Sequence, residues 1–282
     1  EAVGDGVFDI APGDHVVCSF LPTCGKCRWC STGHQNLCDM GAMLLDGCLP
    51  DGTFRYHSGD QDLGGMCMLG TFSERAVVSR NSVVKIDDDL PLEKAALVGC
   101  GVPTGWGSAV YSAEVRPGES VVIFGIGGIG INAVQGAAHA GALHVIAVDP
   151  VELKREKAME LGATHAFANM EEATAFAQSV TNGQGADSAI VTVGVTKGEH
   201  IGQAFTAIRK AGTVVVVVHS NAYPRFGSGI VVPEYDLTLA NRAGRGFTPE
   251  AGHPNFPERG RRPATTLHAW AVGDSSDVPR WA

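Results

Sequence analysis

The stretch Phe124-Gly125-Ile126-Gly127-Gly128-Ile129-Gly130 decides the fold. It follows an apolar run, Val121-Val122-Ile123-Phe124, and leads into a small-residue segment from Ile131 to Ala140. The order reads as strand, glycine turn, helix. Gly125, Gly127 and Gly130 satisfy G-x-G-x-x-G, and each glycine has a physical task. The first makes a tight turn, the second lets backbone approach a pyrophosphate, and the third lets helix pack close to strand. The helix N-terminus, with Gly128 in its first turn, would offer unpaired N–H groups and positive dipole to phosphates. Alone, such a pattern is often only a turn. Here a second apolar run, His144 to Val148, ends at Asp149, about 20 residues on, where a dinucleotide-binding fold carries its acid.

Asp149 also decides the cofactor. A carboxylate at that place accepts hydrogen bonds from the adenosine ribose hydroxyls and repels a 2′-phosphate, so NAD is expected over NADP. Lys154 and Arg155 follow one turn later. Either could touch the ribose or partly offset the acid, although Arg155 reads as part of a solvated helix face.

From Gly118 onward the alternation is regular. Strands are expected at Val121–Phe124, His144–Val148, Ala166–Phe167, Asp187–Val193 and Thr213–Val218. Helices are expected at 128–140, 150–161, 171–180 and 199–210. Continuous apolar strands alternating with helices mean an α/β, doubly wound parallel sheet, with ligand at the strand C-terminal ends.

Working back toward the N-terminus, the character changes. Short extended pieces within Val3 to Val17 are broken by Gly4-Asp5-Gly6 and Pro12-Gly13-Asp14, which is turn chemistry between strands. His15 reads as an ordinary strand-edge histidine. Residues 39–70 are irregular, as in a surface excursion beside a binding site. Strands are expected to return at 71–78 and 83–86, making this first region mostly β. Around Cys100, the run Val98-Gly99-Cys100-Gly101-Val102-Pro103-Thr104-Gly105-Trp106-Gly107 is too rich in glycine for an inexpensive helix. Something close to the backbone could be accommodated there, and composition alone leaves Cys100 equally readable as a buried thiol.

Cys24-x2-Cys27-x2-Cys30-x7-Cys38 is the second decisive stretch. Three thiols at this spacing on a turn-rich lobe converge on one point, and the fourth closes a tetrahedral shell, as in a closed structural zinc site. A bacterial ferredoxin run begins the same way but continues x3-Cys-Pro, whereas here the gap is seven and Asp39 follows, against an iron–sulfur cluster. A disulfide pair would leave the spacing unused. Cys18, Cys48 and Cys67 lack such spacing and read as small buried or half-buried residues.

The 282 residues suffice for one large or two medium domains, and a hydrophobic content of 44% supports real cores. A formal charge of −9 argues against general affinity for nucleic acid or anionic membrane. No run of 18 apolar residues implies a membrane span. The clustered cysteines suit a metal site in a reducing compartment, so a cytoplasmic location is expected. From Asn241 to Ala282 the chain carries six Arg, no Lys and five Pro, without a period of 2 or 3.6. That tail reads as disordered or as translation in a wrong frame, with no function assigned.

Together, the four-cysteine run, Gly70-Thr71-Phe72-Ser73-Glu74, Gly99-Cys100-Gly101-x2-Thr104-Gly105, the glycine turn and Asp149 occur in this order and spacing. The sequence thereby resembles the zinc-dependent medium-chain alcohol dehydrogenases over residues 1 to about 240. The resemblance implies a partial GroES-like, β-rich catalytic domain (1–101) with a structural zinc lobe. It further implies an NAD-binding Rossmann domain (102–240) lacking its last strand, and a non-family tail (241–282). It assigns the structural zinc to Cys24, Cys27, Cys30 and Cys38, and one ligand of a catalytic zinc to Cys100. Thr104 and Val193 are placed by it near the nicotinamide, and Asp149 and Lys154 at the adenosine ribose.

The implied activity is hydride transfer between a primary alcohol or aldehyde and NAD, with zinc polarising the alcohol oxygen. A formaldehyde dehydrogenase acting on a thiol adduct is the close alternative. A catalytically inactive zinc- and NAD-binding fragment is the other. The stretches Val98–Val102 and Val148–Glu152 look most like a bacterial branch that keeps its nicotinamide bound and uses an external acceptor. The intact parent is expected to be a homo-oligomer. In this family the first catalytic cysteine and the Gly-His-Glu segment precede the match to Glu1, and a sixth Rossmann strand follows the match to Leu239. The expectation is therefore a fragment whose catalytic site lacks two of three protein ligands and does not turn over alcohol alone.

Overall fold

The computed structural model describes residues 1–44, 46–219, 235–240, 246–247 and 265–272. The chain divides into two compact units, Glu1–Cys100 and Gly101–Ala282.

The first unit is built from short pieces. β1 (Val16–Cys18) carries the lobe of α1 (Arg28–Ser31), followed by the hairpin β2 (Tyr56–Ser58) and β3 (Gln61–Leu63) and then β4 (Val83–Lys85). β1 and β4 pair antiparallel with Val17 opposite Val84. α2 (Leu92–Ala95) closes the unit. The strands of this unit have three residues each and are joined by irregular segments. The strand expected at 71–78 does not form, and Phe72 is 97% exposed. A strand needs a ladder partner for its backbone groups, and no described strand lies beside this segment.

The second unit opens with α3 (Gly101–Gly107), which continues into a wider turn over Ser108–Ser112. The glycine-rich segment is thus helical, contrary to the sequence expectation. Its glycines are there for contact: a methyl on Gly105 would overlap the Ile129 carbonyl oxygen. The cost of helical glycine is offset by close packing on the helix that follows the glycine turn.

β5 (Ser120–Phe124), α4 (Gly128–His139), β6 (His144–Val148), α5 (Glu152–Glu160), β7 (His165–Phe167), α6 (Met170–Val180), β8 (Ala186–Val191), α7 (Gly198–Ala207) and β9 (Ile208–His219) then alternate as expected. The helix expected to reach Lys210 stops at Ala207. Arg209 instead donates through Nε to Asp187 Oδ1 at 2.7 Å, while Asp187 Oδ2 accepts the Ser120 N–H at 2.7 Å. β10 (Tyr235–Ala240), β11 (Gly246–Phe247) and β12 (Thr265–Val272) complete the described elements.

The sheet order is β11-β10-β12-β9-β8-β5-β6-β7, and all pairs from β10 to β7 are parallel. The order reverses between β5 and β8, and the crevice outside that switch point is where such sheets bind ligands. Side chains alternate across the strands. Val121 and Ile123 pack with Ala133, Val134 and Ala137 of α4 on one face. On the other, Val122, Ile146 and Val214 pack with Ala173 of α6 and Ile201 of α7. Both faces of these strands are therefore covered, as a parallel sheet requires.

The strands β11 and β12 fall within 241–282, where the sequence suggested no regular structure. β12 lies beside β9, with Leu267 opposite Val214. β10 and β12 extend the sheet past β9. The rest of that stretch lies outside the described residues. Among the described residues, no helix is long and apolar enough to cross a membrane.

Candidate metal and dinucleotide sites

In the first unit, the four cysteines singled out by spacing are brought together. The Sγ atoms of Cys24, Cys27, Cys30 and Cys38 all lie within 4.8 Å of one another, and Cys24 Sγ is 3.9 Å from Cys30 Sγ. A zinc–sulfur bond of about 2.3 Å implies a tetrahedral edge of roughly 3.8 Å, so the group is close to ligating geometry. Cys27 sits at the start of α1, which carries Cys30 inward, and Cys38 ends a short turn over Gln35–Leu37.

Backbone N–H groups already face the sulfurs: Cys24 N donates to Cys38 Sγ and Cys27 N to Cys24 Sγ, each at 3.3 Å. Hydrogen bonds from the Lys26 and Cys27 backbone lower the Cys24 thiol to about 6, and those from the Cys30 and Asp39 backbone lower that of Cys27. Burial raises Cys30 to about 12 and also raises Cys38. An all-thiolate shell suits a soft or borderline cation such as zinc, and the donor set fits one. None of the eight cysteines forms a disulfide.

Cys100 is exposed, just beyond the turn over Ala96–Gly99. Among the described residues, the four-cysteine group is the one cluster of three or more ligand-type side chains. A second metal centre around Cys100 is not assembled from them.

In the second unit, the glycine turn joins β5 to α4 at the switch point. Gly125 has φ +97°, a left-handed conformation that favours glycine. A methyl on Gly130 would overlap the Gly125 carbonyl oxygen, which is why the third glycine is required. Gly127 and Gly128, by contrast, face open space within 4 Å of where a Cβ would stand. No protein atom fills that space.

Asp149 follows β6 and is only 3% exposed. Its carboxylate accepts from Ile126 N at 2.9 Å, Val151 N at 3.0 Å and Lys154 Nζ at 3.2 Å. The acid and the glycine turn are thus joined directly. Arg155 is not on a solvated face as expected. Its Nη1 donates to the Asp149 and Pro150 carbonyls at 2.8 and 2.9 Å.

Val193 follows β8, and its backbone N would lie 2.9 Å from a Cβ on Gly125. Thr104 lies in α3 next to Gly105, which abuts the first turn of α4. The sequence reading missed Thr192, whose hydroxyl lies against the glycine turn. A lone polar residue ending the apolar strand run Ala189-Ile190-Val191 was the available signal.

Residues 1–88 match the family model described as the alcohol dehydrogenase GroES-like domain, and residues 128–255 match the zinc-binding dehydrogenase model. The second match runs past residue 240, where family resemblance was expected to end. The chain is 64% identical over 221 residues to the NDMA-dependent alcohol dehydrogenase of Amycolatopsis methanolica, covering 78% of this chain and 60% of that protein. It is 60% identical over 216 residues to the putative alcohol dehydrogenase D of Mycobacterium tuberculosis, covering 77% and 59%. Among solved structures, an alcohol dehydrogenase zinc-binding domain protein from Burkholderia ambifaria superposes with a TM-score of 0.70 at 29% identity, over 95% of this chain and 65% of that one. The chain therefore spans about 60% of the length of these two sequence relatives.

Proposed function

The chain belongs to the zinc-dependent medium-chain alcohol dehydrogenases, and from that premise we propose that its parent protein moves a hydride between a small alcohol or aldehyde and NAD. The NDMA-dependent relative fits the bacterial branch to which the sequence pointed. Within this chain, the proposed roles are a structural zinc held by Cys24, Cys27, Cys30 and Cys38, and NAD bound across Gly125, Gly127, Gly128 and Gly130. NAD, when bound, supplies the hydride acceptor.

The observation that carries the reading is the buried Asp149 carboxylate, hydrogen-bonded to the glycine turn at Ile126 N. A ribose presented to this acid meets an acceptor, whereas a 2′-phosphate meets a like charge. Lys154, bonded to the same carboxylate, stands ready to donate to a ribose hydroxyl. Thr104 and Val193 are proposed to border the nicotinamide, and Cys100 to contribute one ligand to the parent's catalytic zinc. The 282-residue chain is proposed to bind zinc and NAD without turning over alcohol. A cytoplasmic, homo-oligomeric parent is part of the same proposal.

Elemental analysis of the purified chain combined with NAD and NADP titration tests this. About one zinc per chain, with NAD binding at least tenfold tighter than NADP, is expected. Equal binding of the two nucleotides would remove the role given to Asp149. A chain without zinc would remove the role given to the four thiols. About two zinc ions per chain, with alcohol oxidation, would overturn the inactive reading.

A further inference from the structure

We infer that Thr192 is a positioning residue that sets the pyrophosphate-binding turn, an inference that rests on the nucleotide reading above. Thr192 directly follows β8 and is 9% exposed. Its N–H donates to the Phe124 carbonyl at 2.8 Å, carrying the β8–β5 pairing one residue past the last ladder pair. Its hydroxyl oxygen lies 2.5 Å from the Gly125 carbonyl oxygen and 3.2 Å from that of Phe124. A hydroxyl has one proton to give, and the shorter contact takes it.

The other end of the same peptide unit is also held. Ile126 N–H donates to Asp149 Oδ2 at 2.9 Å. The Gly125–Ile126 peptide is therefore gripped at its C=O by a side chain beyond β8 and at its N–H by a side chain beyond β6. Those strands flank β5 on its two sides. Gly125 is the softest joint of the turn, because a residue without Cβ has the widest choice of φ and ψ. The orientation of its peptide sets where the N–H groups of Gly127 and Gly128 point. Those are the glycines with open space before them. Holding that peptide in advance is preorganisation: the diphosphate meets donors already aimed, and the ordering cost falls on folding rather than on binding. Thr192 acts through Gly125 and has no need to touch the ligand.

The test compares the full chain with Thr192→Val, which keeps the shape and removes the hydroxyl, and Thr192→Ser, which keeps the hydroxyl. Titration calorimetry with NAD, ADP and adenosine separates the diphosphate from the nucleoside. Thr192→Val is expected to bind NAD and ADP about five- to tenfold more weakly, the loss of one neutral hydrogen bond. Adenosine affinity, resting on Asp149, is expected to stay within about twofold, and Thr192→Ser to recover most of the loss. Unchanged ADP affinity in Thr192→Val, or an equal loss for adenosine, overturns the inference, the latter by revealing general loosening. Thr192→Ala is read in the same way should the valine variant not fold. Failure of both to fold assigns the hydroxyl to folding and also overturns it. A wild-type chain that binds neither NAD nor ADP instead breaks the nucleotide reading on which the inference stands.

Discussion

In the unit Gly101–Ala282, the glycine turn projects from strands whose side chains are buried on both faces, with Val121, Ile123, Ile146 and Ile190 fully enclosed. In the unit Glu1–Cys100, four sulfurs converge in a lobe flanked by three-residue strands and a four-residue helix. Phe8 and Phe72, at 94% and 97% exposure, contribute little burial there. One region is organised by apolar packing, and its candidate binding site is a by-product of the strand order. The other has fewer buried apolar side chains, and its four clustered thiols are proposed to fix the path of its loops. Candidate site residues therefore carry different consequences in the two places. A cysteine of the lobe is proposed to bear on local folding, whereas Gly127, with no protein atom near its Cβ position, is proposed to bear mainly on ligand approach.

Metal removal should break this symmetry most strongly. Structural zinc binding in small domains contributes on the order of 10 kcal/mol to folding. Chelation, or Cys30→Ser, is expected to abolish amide-exchange protection across 24–43 while leaving 120–217 protected, as measured by hydrogen-exchange mass spectrometry. Comparable loss in both units would show that the metal lobe and the sheet are not separately organised. The same site has a pH signature. Cys30, raised to about 12, and Cys38, also raised, are protonated thiols at neutral pH, whereas Cys24, at about 6, is already ionised. Metal capture must displace the bound protons, so zinc affinity is expected to fall as pH falls. The slope should be about 10- to 100-fold per pH unit near neutrality, for one or two protons released.

The converse perturbation is Ile190→Ala, in the centre of the sheet beneath α4. Emptying a fully buried isoleucine position should cost about 2–5 kcal/mol, read as a lower urea midpoint of the sheet unit. Zinc stoichiometry should not change. A loss of zinc in this variant would merge what the comparison separates.

The smallest expected effect sharpens the contrast within the turn. Gly127→Ala adds a methyl where no protein atom lies within 4 Å. Thermal stability should shift by no more than about 2 °C, while NAD affinity should fall about tenfold or more, because the methyl occupies the ligand's path. Gly130→Ala should instead destabilise the fold itself, since its methyl overlaps the Gly125 carbonyl. Equal stability losses in the two variants would mean that Gly127 serves folding rather than ligand approach.

The sheet was legible because its signals are local and repeated. His144–Val148 was placed to the residue, and α4 and α6 to within one. The four cysteines were legible because close spacing on a turn leaves few ways to keep their sulfurs apart. The strand at 71–78 was misread because alternation alone does not supply a partner strand. The helix at Gly101–Gly107 was missed because glycine opposes helix locally, while its advantage lies in another helix, at Ile129. Arg155 was assigned to solvent because a charge early in a helix reads as exposed, whereas its guanidinium folds back onto the Asp149 and Pro150 carbonyls.

What the sequence by itself determined is therefore the α/β class, the order of strands and helices, the thiol cluster, and the identity of the acid beside the glycine turn. Each rests on residue type and on spacings short enough for chain geometry to impose. What only the tertiary structure decided is how those pieces grip one another. Asp149 and Thr192 lie 23 and 67 residues from the peptide groups they bind. Closure over such distances comes from the strand order β8-β5-β6, set by packing on both faces of the sheet and not by any short run of residues.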